Sequence, residues 1–220
     1  MSPITHLLTG WLVANSSRRF GRKERIMVTA AGLIPDVDGF GVIAEALTRN
    51  GDKPLLWWSN YHHVLGHNLL FGLFVTLVAF LLTARNRVVA ALVFVSFHLH
   101  LLGDFVGARG PGDDLWVVPY FLPFSPHEFS WSGQWELNAR SNFVITGLLL
   151  ITMSFLAWKR GCSPLEIVSP RADAVFVDTL RWRSDRDYFQ LGCDPRTIPV
   201  KLEKTPFRFV MLRQNIHSIL

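Results

Sequence analysis

The chain has 220 residues, half of them hydrophobic and only 18% charged, with a mean hydropathy of +0.26. That is too apolar for an ordinary soluble domain and points to a helical membrane unit with a small appendage. The net charge of +5 is clustered beside apolar runs, which reads as a topology signal and not as a nucleic-acid surface. Cys162 and Cys193 are the only cysteines and neither has a CxxC partner, so no thiolate metal knuckle is indicated.

The first predicted element is a short apolar helix over Ile4–Ala14, with Ser2 placed to cap it and Pro3 suited to its first position. A basic loop follows at Arg18, Arg19, Arg22, Lys23 and Arg25, then a second short helix over Ile26–Ile34 that Pro35 ends. Asp36-Val37-Asp38-Gly39 comes next, and Gly39 and Gly41 permit the chain turn that would let two aspartates converge. Phe40–Leu47 suits a short amphipathic helix, and Leu55-Leu56-Trp57-Trp58 has the character of a membrane interface.

The stretch Tyr61–Asn68 then places His62, His63 and His67 before a strongly apolar run. Gly66–Ala84 reads as the first full span; as a helix it would extend about 28 Å. Val88–Val106 is the second, carrying His98, His100 and Asp104 in its last third. Arg109–Asn142 is a long connection rich in proline and tryptophan, expected to fold over the membrane surface as a lid. Phe143–Trp158 is the third span, stopped by Lys159-Arg160-Gly161. Beyond it, Ala174–Val177, Leu180–Arg183 and Phe207–Met211 read as short strands, with turns at Pro195 and Pro199. The expected fold is therefore mainly α: a multi-helix integral membrane protein with a metal-site domain at 1–160 and a small, mostly β, cytoplasmic tail at 161–220. The tail is the expected contact for a cytosolic protein partner.

The positive-inside rule puts Arg18–Arg25, Arg85–Arg87 and Lys159–Arg160 in the cytoplasm and gives five helical crossings, two of them short. His6, Asp36, Asp38, His62, His63, His67, His100 and Asp104 then all fall at the outer ends. His100 and Asp104, spaced i,i+4, share a helix face. His63 and His67 share one too, whereas His62 would join His67 only from before the helix start. Histidine nitrogen with carboxylate oxygen suits zinc, and also manganese, iron or nickel, and carboxylates can bridge two ions. His98 faces away from His100 and reads as structural. No phosphate-binding loop, dinucleotide fingerprint or GxSxG elbow is present.

The order His6, Pro35-Asp36-x-Asp38, His62-x4-His67-Asn68 and His100-x3-Asp104 resembles the YdjM-like family of inner-membrane metal-dependent hydrolases, over roughly Thr5 to Asn142. The family form is PDxD, HRxxTHS and SHxxxD. Here His63 stands in the arginine position, Gly66 replaces threonine, Asn68 replaces serine, and Leu99 replaces the serine of the last motif. The resemblance favours His62 over His63 as the partner of His67. It implies metal binding by His6, Asp36, Asp38, His62, His67, His100 and Asp104, with Asp38, His67 and Asp104 catalytic. The cofactor implied is one or two zinc ions, or manganese. The likeness of its His/Asp usage to zinc-dependent phospholipase C implies a phosphoesterase acting on a membrane lipid or lipid-linked substrate, in the inner membrane with the site facing the periplasm. Arg109, Glu136, Asn138 and Asn142 would then form the substrate rim, and Trp116, Trp131 and Trp135 would position lipid. The competing expectation is a metal-binding membrane scaffold or regulator without turnover.

Overall fold

The computed structural model describes residues 1–62, 64–110, 112 and 114–190. Its helices are α1 (Pro3–Ala14), α2 (Arg22–Ala31), α3 (Gly41–Thr48), α4 (Trp57–Tyr61), α5 (Leu69–Leu82), α6 (Arg87–Gly107), α7 (Arg140–Arg160) and α8 (Pro170–Gln190). Short 3-10 helices cover Ile34–Phe40 and Pro164–Ile167. Residues 1–182 form one compact unit, and a second begins at Arg183 within α8.

Local chemistry sets these boundaries. The Ser2 hydroxyl accepts from the Thr5 N–H and Pro3 opens α1, the pairing that suits a helix start. Asn86 accepts from the N–H groups of Val88 and Val89 and starts α6. Gly161 closes α7 in the left-handed conformation, at φ 76°, where glycine carries no Cβ penalty.

α6 and α7, each 21 residues, are long and apolar enough to cross a membrane. α2 together with the segment Ile34–Thr48 passes the same test as one span bent by 58°. The structure thus offers two or three spans in place of the five crossings expected. α5 is the clearest difference. It has 14 residues, not the full span predicted from Gly66 to Ala84, because Asn68 caps it by accepting from the Phe71 N–H. Gly66 and His67 are left in the preceding turn. Pro35 does not end a helix either: the break falls at Gly32-Leu33, and Pro35 lies inside the 3-10 helix that follows.

α1 lies at the centre, packed on α2, α6 and α7, while α5 packs on α6. α1 and α2 meet closely at Gly10 and Gly32; a β-carbon on Gly32 would stand 2.9 Å from the His6 carbonyl oxygen. One apolar core joins Val28, Ala31, Ala79, Val89 and Val93, and another joins Leu8, Trp11, Met153 and Ala157. Side chains on the outer face of α7 such as Leu148, Ile151 and Phe155 are exposed, as lipid contact requires.

The expected β tail is not seen. Ala174–Val177 and Leu180–Arg183 lie within α8, and Phe207–Met211 lies outside the described residues. The β-branched and aromatic content of 174–177 suggested a strand, but the helical spacing of Phe176, Val177 and Leu180 decides. Val177 is buried, and Phe176 and Leu180 pack on the Leu8/Trp11 core. Pro170 at the first position and Ser169, whose hydroxyl accepts from the Ala172 N–H, were the overlooked start signal. Among the described residues there is no strand, only the isolated bridges Arg109–Glu136 and Val118–Phe129.

Candidate metal centre

Four separate elements deliver the polar cluster. Asp36 and Asp38 come from the 3-10 helix, His62 and His67 from the turn between α4 and α5, His100 and Asp104 from the last third of α6, and His6 from the first turns of α1. The turn is held tightly. A β-carbon on Gly66 would overlap the Pro35 carbonyl oxygen, so the threonine of the family form cannot sit here with this backbone. Asn68, besides capping α5, donates its amide to the carbonyl oxygens of Val64 and Leu65. Its place in the motif is thus a capping role, which the family's serine can also fill.

Asp36, His67, His100 and Asp104 form a group able to hold a metal ion, one donor atom of each lying within 4.8 Å of all the others. The separations are informative. His67 Nε2 and His100 Nε2 are 3.3 Å apart. Asp104 Oδ2 is 3.0 Å from His100 Nε2 and 3.5 Å from His67 Nε2. Asp36 Oδ1 is 3.4 Å from His100 Nε2 and 4.0 Å from His67 Nε2. Donors bound at zinc–nitrogen and zinc–oxygen lengths in a tetrahedron lie about 3.3 Å apart, so the residues fit such an ion.

Two further observations agree. Asp104 Oδ2 is buried and makes no hydrogen bond among the described residues, and such an orphan is costly unless a cation faces it. His100 Nδ1–H donates to the Gly32 carbonyl at 2.8 Å, which leaves the Nε2 lone pair aimed at the group. His67, His100 and Asp104 are almost wholly buried, while the Asp36 side chain keeps 27% exposure.

The remaining predicted ligands stand around these four. His6 Nε2 is 3.0 Å from Asp104 Oδ1, the oxygen that also meets the Met1 ammonium, and the His6 ring stacks on His100 at 3.8 Å. Asp38 sits behind His67, with Oδ2 3.6 Å from His67 Nδ1 and accepting from the Gly66 N–H. Its Oδ1 is 3.1 Å from His62 Nδ1. His62 in turn stacks on Trp58 and meets the edge of Trp116. His63 lies outside the described residues. His98 bridges the Phe94 carbonyl and the Tyr120 hydroxyl, away from the cluster and in keeping with a structural role.

The connection between α6 and α7 folds back over this end. A cavity of about 700 Å³ lies there, and Arg109, Trp116, Glu136, Asn138 and Asn142 help line it. Trp131 and Trp135 do not. Asn142 is chiefly a strut: its amide donates to the carbonyl oxygens of Gly107, Glu136 and Leu137, and its Oδ1 accepts from Trp135 Nε1. The residue that sequence reasoning missed is Gln134, 1% exposed. Its amide donates to the carbonyl oxygens of Asp104, Phe105 and Trp116, and its Oε1 accepts from the Trp116 N–H. It thereby pins the loop to the end of α6 that carries Asp104. No local signal in the sequence marks it, because the reach from Gln134 to the end of α6 is set by the fold. Cys162, half-buried and far from this end of α6 in sequence, has its thiol pushed up by burial and is no candidate nucleophile.

No curated protein and no solved structure shows significant similarity to the chain. The sequence pattern of the YdjM inner membrane protein family matches residues 1–170. With its apolar spans and a buried His/Asp group able to hold a metal, the chain belongs to the YdjM inner membrane protein family.

Proposed function

We propose that the chain is a membrane-bound metal-dependent hydrolase, acting on a phosphoester of a lipid or lipid-linked substrate at the outer leaflet. The observation that carries this reading is the convergence of Asp36, His67, His100 and Asp104, one donor atom of each within 4.8 Å of the others. A divalent ion, zinc or manganese by the nitrogen and oxygen donors, would supply Lewis acidity at that point. Asp38 would hold the His67 ring in its ligating orientation, as a carboxylate behind a ligating histidine does. Arg109 would meet a phosphate with paired charge-assisted bonds. Trp116 would flank the lipid, with Glu136 and Asn138 on the rim. The basic loops support a periplasmic position for this end of the bundle.

The test is purification with elemental metal analysis, followed by a panel of phosphoester and lipid ester substrates. Wild-type protein should carry one or two ions and turn over at least one substrate. His67→Ala and Asp104→Ala should lose both. Metal-loaded protein that hydrolyses nothing on the panel would defeat the enzymatic reading.

One observation favours a second reading, a metal-holding scaffold. Four protein donors fill a tetrahedron, as in closed structural sites, whereas catalytic sites keep a position open. Asp36 decides between the two because it is the exposed donor and the farthest from His67. An Asp36→Asn protein that keeps its metal but loses turnover supports the hydrolase. One that loses metal and unfolds, from a parent without turnover, supports the scaffold, with residues 161–220 then the segment to test for a cytosolic partner.

A further inference from the structure

A second polar site lies at the opposite end of the bundle from the His/Asp group. A cavity of about 460 Å³ opens there between the end of α1, the start of α2 and the end of α7, and Arg18, Arg25, Lys159 and Arg160 help line it. The nearby carboxylates are already committed. Glu166 takes a two-pronged contact from Arg25, at 2.8 Å and 2.5 Å, and Asp173 accepts from the N–H and hydroxyl of Ser163. Arg18, Lys159 and Arg160 therefore have no acidic partner among the described residues. Among the described residues Arg160 bonds the Ser17 carbonyl, and Lys159 stands over the face of Phe155. Three cations held around one hollow repel one another unless an anion enters.

We propose that this hollow binds the headgroup of an anionic phospholipid. Two observations name a lipid as the occupant. The cations stand at the end of α7, a membrane-length helix, and the turns leading up to them expose Ile151, Phe155 and Trp158. A phosphate at Arg18 and Arg160 would thus have its acyl chains on an apolar helix face. Basic pockets between spanning helices are suited to such headgroups. The chain's own C-terminal segment is the wrong charge for the role: residues 191–220 carry Arg196, Lys201, Lys204, Arg208 and Arg213 against Asp194 and Glu203.

The test uses the full chain, delipidated in neutral detergent and titrated with phosphatidylglycerol or phosphatidylcholine, with bound lipid counted by native mass spectrometry. Phosphatidylglycerol should bind preferentially. Arg18→Gln and Arg160→Gln should each weaken it about fivefold and the pair about 25-fold. Arg85→Gln and Arg87→Gln, which do not line the hollow, should leave it unchanged. Arg18 is exposed and makes no side-chain bond among the described residues, so its variant tests binding without a folding defect, and an unchanged melting temperature confirms that. Equal binding of both lipids overturns the proposal, as does an equal loss in the Arg85 and Arg87 variants. Displacement of the lipid by equimolar inorganic phosphate would make the hollow a free-anion site and also overturn it.

Discussion

Asp104 and Glu166 are both buried carboxylates, 3% and 2% exposed, at opposite ends of the same bundle, and they are compensated in opposite ways. Glu166 faces a permanently charged guanidinium that bonds both of its oxygens. Asp104 faces imidazoles, which can be neutral, and the Met1 ammonium at Oδ1, while its Oδ2 has no hydrogen bond among the described residues. The first arrangement is complete within the protein. The second leaves Asp104 Oδ2 converging with Asp36 and two histidine nitrogens on one point, which is what a cation site needs.

The contrast can be broken most forcefully at the ligands. Asp104→Asn should abolish metal co-purification while leaving the Arg25 end folded, read by elemental analysis and a melting curve. Next in size, Arg25→Gln should leave Glu166 buried without its cation and cost about 3 kcal/mol of stability. Metal content per folded molecule should not change; a parallel loss of metal would show that the two ends are not separable. Asp38→Asn should weaken metal affinity about 10- to 100-fold while preserving stoichiometry at saturating metal, measured by competition with a chelator. The smallest effect is Asn68→Ala, which removes the α5 cap and should cost about 1 kcal/mol. Asn68→Ser should restore most of it.

The long elements were legible in the sequence because apolar runs bounded by charge are a strong signal. α6 and α7 fall close to Val88–Val106 and Phe143–Trp158, and Gly161 ends α7 where the basic stop suggested. The i,i+4 spacing of His100 and Asp104 was equally readable, since helix geometry alone puts them on one face. What pairs across the fold was not. Nothing local says that Gly66 abuts Pro35, that Gly32 offers its carbonyl to His100, or that Gln134 reaches the end of α6. The start of α5 was misplaced because hydropathy sees Gly66 as part of an apolar run, while the cap chemistry of Asn68 excludes it. α8 was misread because residue preference was weighed over four positions, whereas its burial pattern repeats over a longer helical stretch.

The short length of α5 has a consequence for depth. α5 and α6 are joined by a tight connection, so Leu82 and Arg87 lie near one level. From there α5 rises about 21 Å and α6 about 31 Å. The whole shortfall of about 10 Å falls at the His67 end, and His100 stands about 20 Å up α6, level with the top of α5. The His/Asp group is therefore recessed below the headgroup plane that α6 and α7 would reach. Beside α5 the bilayer must thin or the polar turn must sink, the response to hydrophobic mismatch. Thinning would bring the ester region of the surrounding lipid down towards Asp36.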